Sequence, residues 1–167
     1  MDIADFSTQF TGQMKKLDEF VQGDDIKIIM GVEAVNHFKK SFQDEGFTDE
    51  ELEKWPDVKR RNPESPWHGH SGQTGKFSQA RTTAKVLSGE TKELQNSISY
   101  SYIEGGVRIT DATPYASVHN FGEGANVYGR KAFIMKKRQF MGKSKVLVDN
   151  IENKIVSEIK KILKLNS

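Results

Sequence analysis

Apolar residues recur at helical spacing near both ends of this chain and alternate with period two only once, between them. That change of period constrains the fold most, because a face repeating every ~3.6 residues cannot be buried as a strand. Phe6, Phe10, Met14, Leu17 and Val21 form one stripe and predict an N-terminal helix. Gly23, Asp24 and Asp25 break it and open a second helix. There Ile26, Ile29, Met30, Val35, Phe38 and Phe42 mark the face expected to be buried, with an end near Glu45 and Gly46. Thr48 followed by Glu51 has the form of a capping box and predicts a short third helix, stopped at Trp55 by Pro56. Val148, Ile151, Ile155, Ile159, Ile162 and Leu165 predict a C-terminal helix of about five turns.

The period-two segment sets Ile98, Tyr100 and Tyr102 against Ser97, Ser99 and Ser101. Glu104-Gly105-Gly106 reads as a turn, and Val107 and Ile109 alternate on the return. Residues 97–103 and 107–110 are therefore expected to pair antiparallel. Pro114 suits the first turn of a further short helix, with Asp111 or Thr113 as cap, Tyr115, Val118 and Phe121 on one face, and Gly122 at its end. Residues 123–131 read as a loop and 132–135 as a candidate third strand. The sum is an α+β fold: a small antiparallel sheet, the hairpin plus one or two further strands, packed by the N-terminal helices and the long C-terminal helix. A length of 167 residues favours one domain, spanning 1–167.

Only 35% of the residues are hydrophobic and 29% are charged, a lean composition that suits long loops and partner-facing surface. Residues 57–81 are polar and rich in Pro, Gly, Ser and Asn, so a mobile loop is expected there unless a neighbouring subunit holds it. Without cysteine the chain has neither disulfides nor thiolate metal sites. The opening MDIADF places acids where an export signal would be basic, and no apolar run approaches the ~20 residues a spanning helix needs. Both features read as a soluble, non-exported chain with no membrane partner.

The net charge is only +2, but its distribution is uneven: residues 1–57 hold 14 acids and 6 bases, residues 58–167 hold 9 acids and 19 bases. Between Gly124 and Val148 there is no acid, while Arg130, Lys131, Lys136, Lys137, Arg138, Lys143 and Lys145 are all present. Such a stretch suits a solvated face, phosphate contact or head-to-tail docking of an acidic half on a neighbour's basic half. The imbalance runs both ways along the chain, which favours docking over nucleic acid.

Nothing in the pattern nominates a catalytic, cofactor-binding or metal-binding residue. His68-Gly69-His70 lacks a third ligand at metal spacing. His119-Asn120 resembles part of a nuclease site but lacks a second histidine in the right context, and reads as a pair bonding loop backbone near a helix end. The Gly105-Gly106 and Gly122-Glu123-Gly124 turns lack the strand, lysine and helix of a phosphate loop. Asp24-Asp25 and Asp49-Glu50-Glu51 sit at predicted helix starts, where the helix dipole alone favours acids. The run Lys136-Lys137-Arg138-Gln139-Phe140 is better read as an anchor than as a nucleic-acid patch. Phe140 and Met141 would be buried, and Arg138 would reach a carboxylate or helix-end carbonyls in bidentate fashion.

Four elements in order carry a resemblance: Trp55 after the helical part; Thr91, Leu94 and Ser97 leading into the hairpin; Tyr115, Ala116, His119, Asn120 and Gly122; then Arg138, Phe140, Met141, Gly142 and Ser144. Together they resemble the phage virion morphogenesis family, small tail-completion or head–tail joining proteins of tailed phages and prophages. Lys92 stands where the family has glycine after threonine, and the link 123–135 carries Gly-Arg-Lys where the family often has proline. The resemblance implies a structural protein without catalysis, cofactor or small-molecule substrate. Such a protein works in the host bacterial cytoplasm during assembly and then in the virion neck or tail. Its implied partners are copies of itself, commonly in a hexameric ring through which DNA passes, and other neck, tail or connector proteins. Lys136, Lys137 and Lys143, with the 57–81 segment, are the expected assembly contacts. The alternative is a small nucleic-acid-binding module using residues 124–148.

Overall fold

The computed structural model describes residues 2–70, 75–89, 91–127 and 130–164, with the backbone alone for the described part of 125–132. Helices α1 (Ile3–Gln22) and α2 (Asp25–Asp44) open the chain, joined by Gly23 and Asp24. Glu45, not Gly46, takes the left-handed conformation that ends α2, at φ 53°, and its N–H bonds to the Ser41 carbonyl. Strands β1 (Gly46–Thr48) and β2 (Leu52–Lys54) follow as a tight antiparallel pair. The capping-box reading of Thr48 and Glu51 is thus overturned. Asp49 lies in the turn of this hairpin and is committed elsewhere: its carboxylate accepts the Lys145 N–H at 2.8 Å and its carbonyl the Val146 N–H at 3.1 Å. The acid does meet a helix N-terminus, that of the distant C-terminal helix.

Two short helices, α3 (Gln79–Thr83) and α4 (Glu93–Asn96), precede the expected hairpin of β3 (Ile98–Ile103) and β4 (Gly106–Asp111). Tyr100 pairs with Ile109 and Tyr102 with Val107, so the period-two residues share one face. The candidate third strand does not join this hairpin. Residues 124–127, expected as loop, form β5 (Gly124–Val127), which among the described residues pairs with β6 (Arg130–Ile134) in a separate sheet, overlapping the expected third strand. The chain ends in α5 (Lys145–Leu163). The class is α+β, and among the described residues three two-stranded antiparallel sheets stand in place of one larger sheet.

The core is a cluster of Ala34, Phe38, Phe42, Phe47, Trp55, Val86, Leu94, Ile98, Phe140 and Leu147. α2 supplies its spine through Gly31, Ala34, Phe38, Ser41 and Phe42, a stripe at three- and four-residue spacing. The Tyr100 ring occupies the space a Cβ at Gly31 would need, so glycine there admits the hairpin against the helix. Ile26, Ile29 and Met30, read as core, are only half-buried. On α5, Leu147 is buried and Val148 is exposed, while Ile151, Ile155, Ile159 and Ile162 are half-buried as their spacing predicts; Ser144 caps the helix through the Leu147 N–H. Leu165 lies outside the described residues. The α1 stripe departs furthest from expectation: Phe6, Phe10, Met14 and Val21 are exposed, and Phe20 is the residue α1 buries.

Residues 57–81 carry more structure than their composition predicts, although 71–74 lie outside the described residues. A 3-10 turn spans Lys59–Arg61, and a bridge joins His70 to Phe77. Arg61 ion-pairs with Glu45 and with Asp57, and Arg60 and Arg61 both donate to the Ala84 carbonyl. Glu45 in turn accepts the Val86 N–H at 2.6 Å. The segment is therefore tied at both ends to the end of α2, through a charged pair sixteen residues apart that no local pattern announces.

Candidate functional site

The anchor at 138–144 forms because its backbone has partners waiting for it. Asn120 lies on a widened helical turn, Val118–Gly122, closed by a bond from the Glu123 N–H to the Val118 carbonyl five residues back. The extra residue in the turn shifts its phase, so Asn120 faces inward and is 5% exposed while Phe121, expected on the packed face, points to solvent. The Asn120 side-chain oxygen accepts the N–H groups of Phe140 and Met141, each at 2.9 Å, and its amide nitrogen donates to the Met141 carbonyl at 3.1 Å. One side chain thus replaces a neighbouring strand for the anchor. The His119 carbonyl accepts the Arg138 N–H at 2.8 Å, which extends the same alignment.

Phe140, 1% exposed, tilts against Phe42 with ring centroids 5.2 Å apart, and Phe42 meets Trp55 edge-on at 5.5 Å. The Trp55 indole N–H donates to the Gln139 carbonyl at 2.6 Å, and the Ser41 hydroxyl to the Phe140 carbonyl at 3.3 Å. The buried Arg138 guanidinium donates through Nε and Nη2 to the Pro56 carbonyl, and through Nη2 to that of Asp57. These are loop carbonyls, not the carboxylate or helix end the sequence suggested. Burial pulls the Arg138 pKa down and Asp57 partly opposes it. Ser144 closes the anchor by accepting the Leu147 N–H at 3.1 Å and donating to the Asp49 carbonyl. Gly142 is exposed beside Gln139.

The other family-motif residues support this platform. Leu94 is buried, Ser97 and Ala116 are half-buried, and Ala116 packs on the core. The Thr91 carbonyl accepts from Asn96. The Tyr115 hydroxyl donates to Glu93 at 2.7 Å; burial and that carboxylate push its pKa up to about 12. Gly122, at φ 74°, lets the Lys137 backbone approach to 3.0 Å of where a Cβ would stand. Lys92 sits at φ 56°, a left-handed conformation that favours glycine. The turn needs that conformation, and here a lysine adopts it.

His119 departs from its expected role. Its ring stacks edge-on against Tyr115 at 6.0 Å, and its Nδ1 is buried without a hydrogen-bond partner. Burial lowers its pKa and the nearby Arg138 charge lowers it further. The carbonyl of His119, not its ring, makes the useful bond. His68 packs on Phe77 and His70 on Trp67, and among the described residues no group of three or more His, Asp or Glu could hold a metal ion. No helix among the described residues is long and apolar enough to cross a membrane. Lys136, Lys137 and Lys143 are all exposed at the edge of the anchor, on either side of buried Arg138 and Phe140. The arrangement is a rigid buried ledge that displays a basic rim, with its polar groups spent on its own backbone.

The profile of the phage virion morphogenesis family matches residues 58–160, more than half of the chain. No match comes from comparison with curated proteins or with solved structures.

Proposed function

The chain belongs to the phage virion morphogenesis family, so its role lies in phage assembly, and from that premise we propose that it is a structural subunit of tail completion or head–tail joining. Copies of the chain form a ring at the neck or the head-proximal end of the tail, commonly hexameric in such assemblies, against connector and tail proteins. The subunit is made in the host cytoplasm and ends in the virion. It makes and breaks no bond; it works through binding energy and shape. The observation that carries this reading is the ledge itself, in which the family-motif residues Asn120, Arg138 and Phe140 are locked while Lys136, Lys137 and Lys143 stay exposed. Rim charges of this kind steer and align partners more than they add affinity.

Negative-stain microscopy of lysates from a phage lacking this gene tests the role. Filled heads beside separate, otherwise complete tails are the expected result, and normal infectious particles would reject it. The exposed basic rim also suits contact with DNA in a ring lumen. If DNA binding were the main activity, the isolated protein would bind duplex DNA with an affinity that falls steeply with salt.

A further inference from the structure

α1 is a helix with two faces of different fate. Phe20 is buried beside Lys154 and Glu158, and the Gln13 side chain donates to the Leu163 carbonyl at 3.1 Å, so α1 and α5 run antiparallel. Leu163 is the last residue of α5, which leaves the first ten residues of α1 extending beyond that helix. About a quarter turn away from the packed face lies the stripe of Ile3, Phe6, Phe10, Met14 and Leu17, open along its length and half-buried only at Leu17. Ile3 is 86% exposed, Phe6 58% and Phe10 50%, and the Phe6 and Phe10 rings stack on each other at 6.0 Å. With Met14 the stripe shows roughly 450 Å² of apolar surface, in the range of the biggest patches ordinary monomers carry.

The spacing of that stripe is three, four, four, three, which reads the same from either end and is centred on Phe10. A two-fold axis requires just such self-complementarity, because each residue i must meet the partner's residue j while j meets i. We propose that α1 is a self-pairing arm: two copies of this chain dock their α1 helices antiparallel, with Phe10 against Phe10 on the axis, Phe6 against Met14 and Ile3 against Leu17. The paired length, at about 1.5 Å per residue, is roughly 20 Å. The two stripes together offer roughly 900 Å² to be covered, the size of a small, reversible interface. Ser7, Gln9, Thr11 and Gln13 flank the stripe with uncharged polar groups, so like charges do not crowd its central turns. The inference goes beyond the assembly role, since it concerns two free copies; solution mass and particle yield are separate readouts.

The chain has no cysteine, which makes the test direct. Phe10→Cys in the full chain, mildly oxidised at tens of micromolar, gives a disulfide-linked dimer in most of the protein, while Thr8→Cys on the opposite face stays monomeric. Sedimentation shows a dimer for the wild type and a monomer for Phe10→Glu, whose thermal melt is unchanged at low concentration. A wild-type monomer at 100 μM, equal cross-linking at positions 8 and 10, or a dimer that survives Phe10→Glu would each overturn the pairing.

Discussion

The anchor and α1 carry comparable shares of aromatic side chains, yet one is sealed and the other open. At the anchor, Phe140 is 1% exposed and the surrounding backbone is bonded by Asn120, Trp55, Ser41 and His119. On α1, Phe6 and Phe10 lie on a regular helical stripe and face solvent. Periodicity shows that a face is apolar, but it does not show what covers it. Burial at the anchor comes from polar partners that align the chain and so allow the ring to be enclosed; α1 has its stripe and no such frame.

The largest effect that can break this contrast is Phe140→Ala. It empties a fully enclosed site against Phe42 and should cost about 3–5 kcal/mol by chemical denaturation; a loss under about 1 kcal/mol would mean the ring is not the keystone. Asn120→Ala comes next. It strands two buried N–H groups and a carbonyl, at about 2–3 kcal/mol, with the loss appearing as faster hydrogen exchange at Phe140 and Met141. Lys92→Gly relieves a left-handed lysine and should stabilise by about 1 kcal/mol; a drop in melting temperature would contradict the strain. Phe6→Ser, in contrast, should change the stability of the dilute monomer by no more than about 0.5 kcal/mol, and a larger loss would show that the chain itself covers α1.

Two histidines and a carboxylate give the stability a pH dependence: His119, His37, whose pKa burial also lowers, and Glu45. His119 has a lowered pKa from burial and from Arg138, so the unfolded chain binds more protons below the ordinary histidine range. Its contribution is complete above that range and is lost as pH falls through the folded-state value. At Glu45, burial works to raise the pKa, but Arg61, the Val86 N–H and Lys85 outweigh it and hold the group below the ordinary carboxylate range. Its contribution is present above that range and is lost as pH falls through the lower folded value. Melting temperature should therefore fall in two stages on acidification, and His119→Phe should reduce the first, leaving the His37 part of it and the second unchanged.

Much of the fold was legible because its signals are local. The β3–β4 alternation, the bounds of α2 and the C-terminal helix follow from side-chain period and neighbouring breakers. The β1–β2 hairpin was not legible, because Asp49 answers to Lys145 and Val146, some 96 residues away, and not to the capping pattern around it. β6 overlaps the strand expected at 132–135, but its partner β5 was read as loop, for want of alternation in 124–127. At the site, the resemblance picked out Asn120, Arg138 and Phe140. It did not indicate that Asn120 would bond two amides at once, or that Arg138 would choose the carbonyls after Trp55. The departure at Lys92 becomes intelligible only with its φ of 56° in view.

The central claim is that the buried motif residues hold the ledge while its exposed lysines join the particle. The most direct measurement is particle yield when a deletion phage is complemented with the triple variant Lys136→Glu, Lys137→Glu, Lys143→Glu, alongside the melting curve of the purified variant. The account predicts unjoined heads and tails from a protein that melts as the wild type does. Normal yield of infectious particles from that folded variant would contradict it.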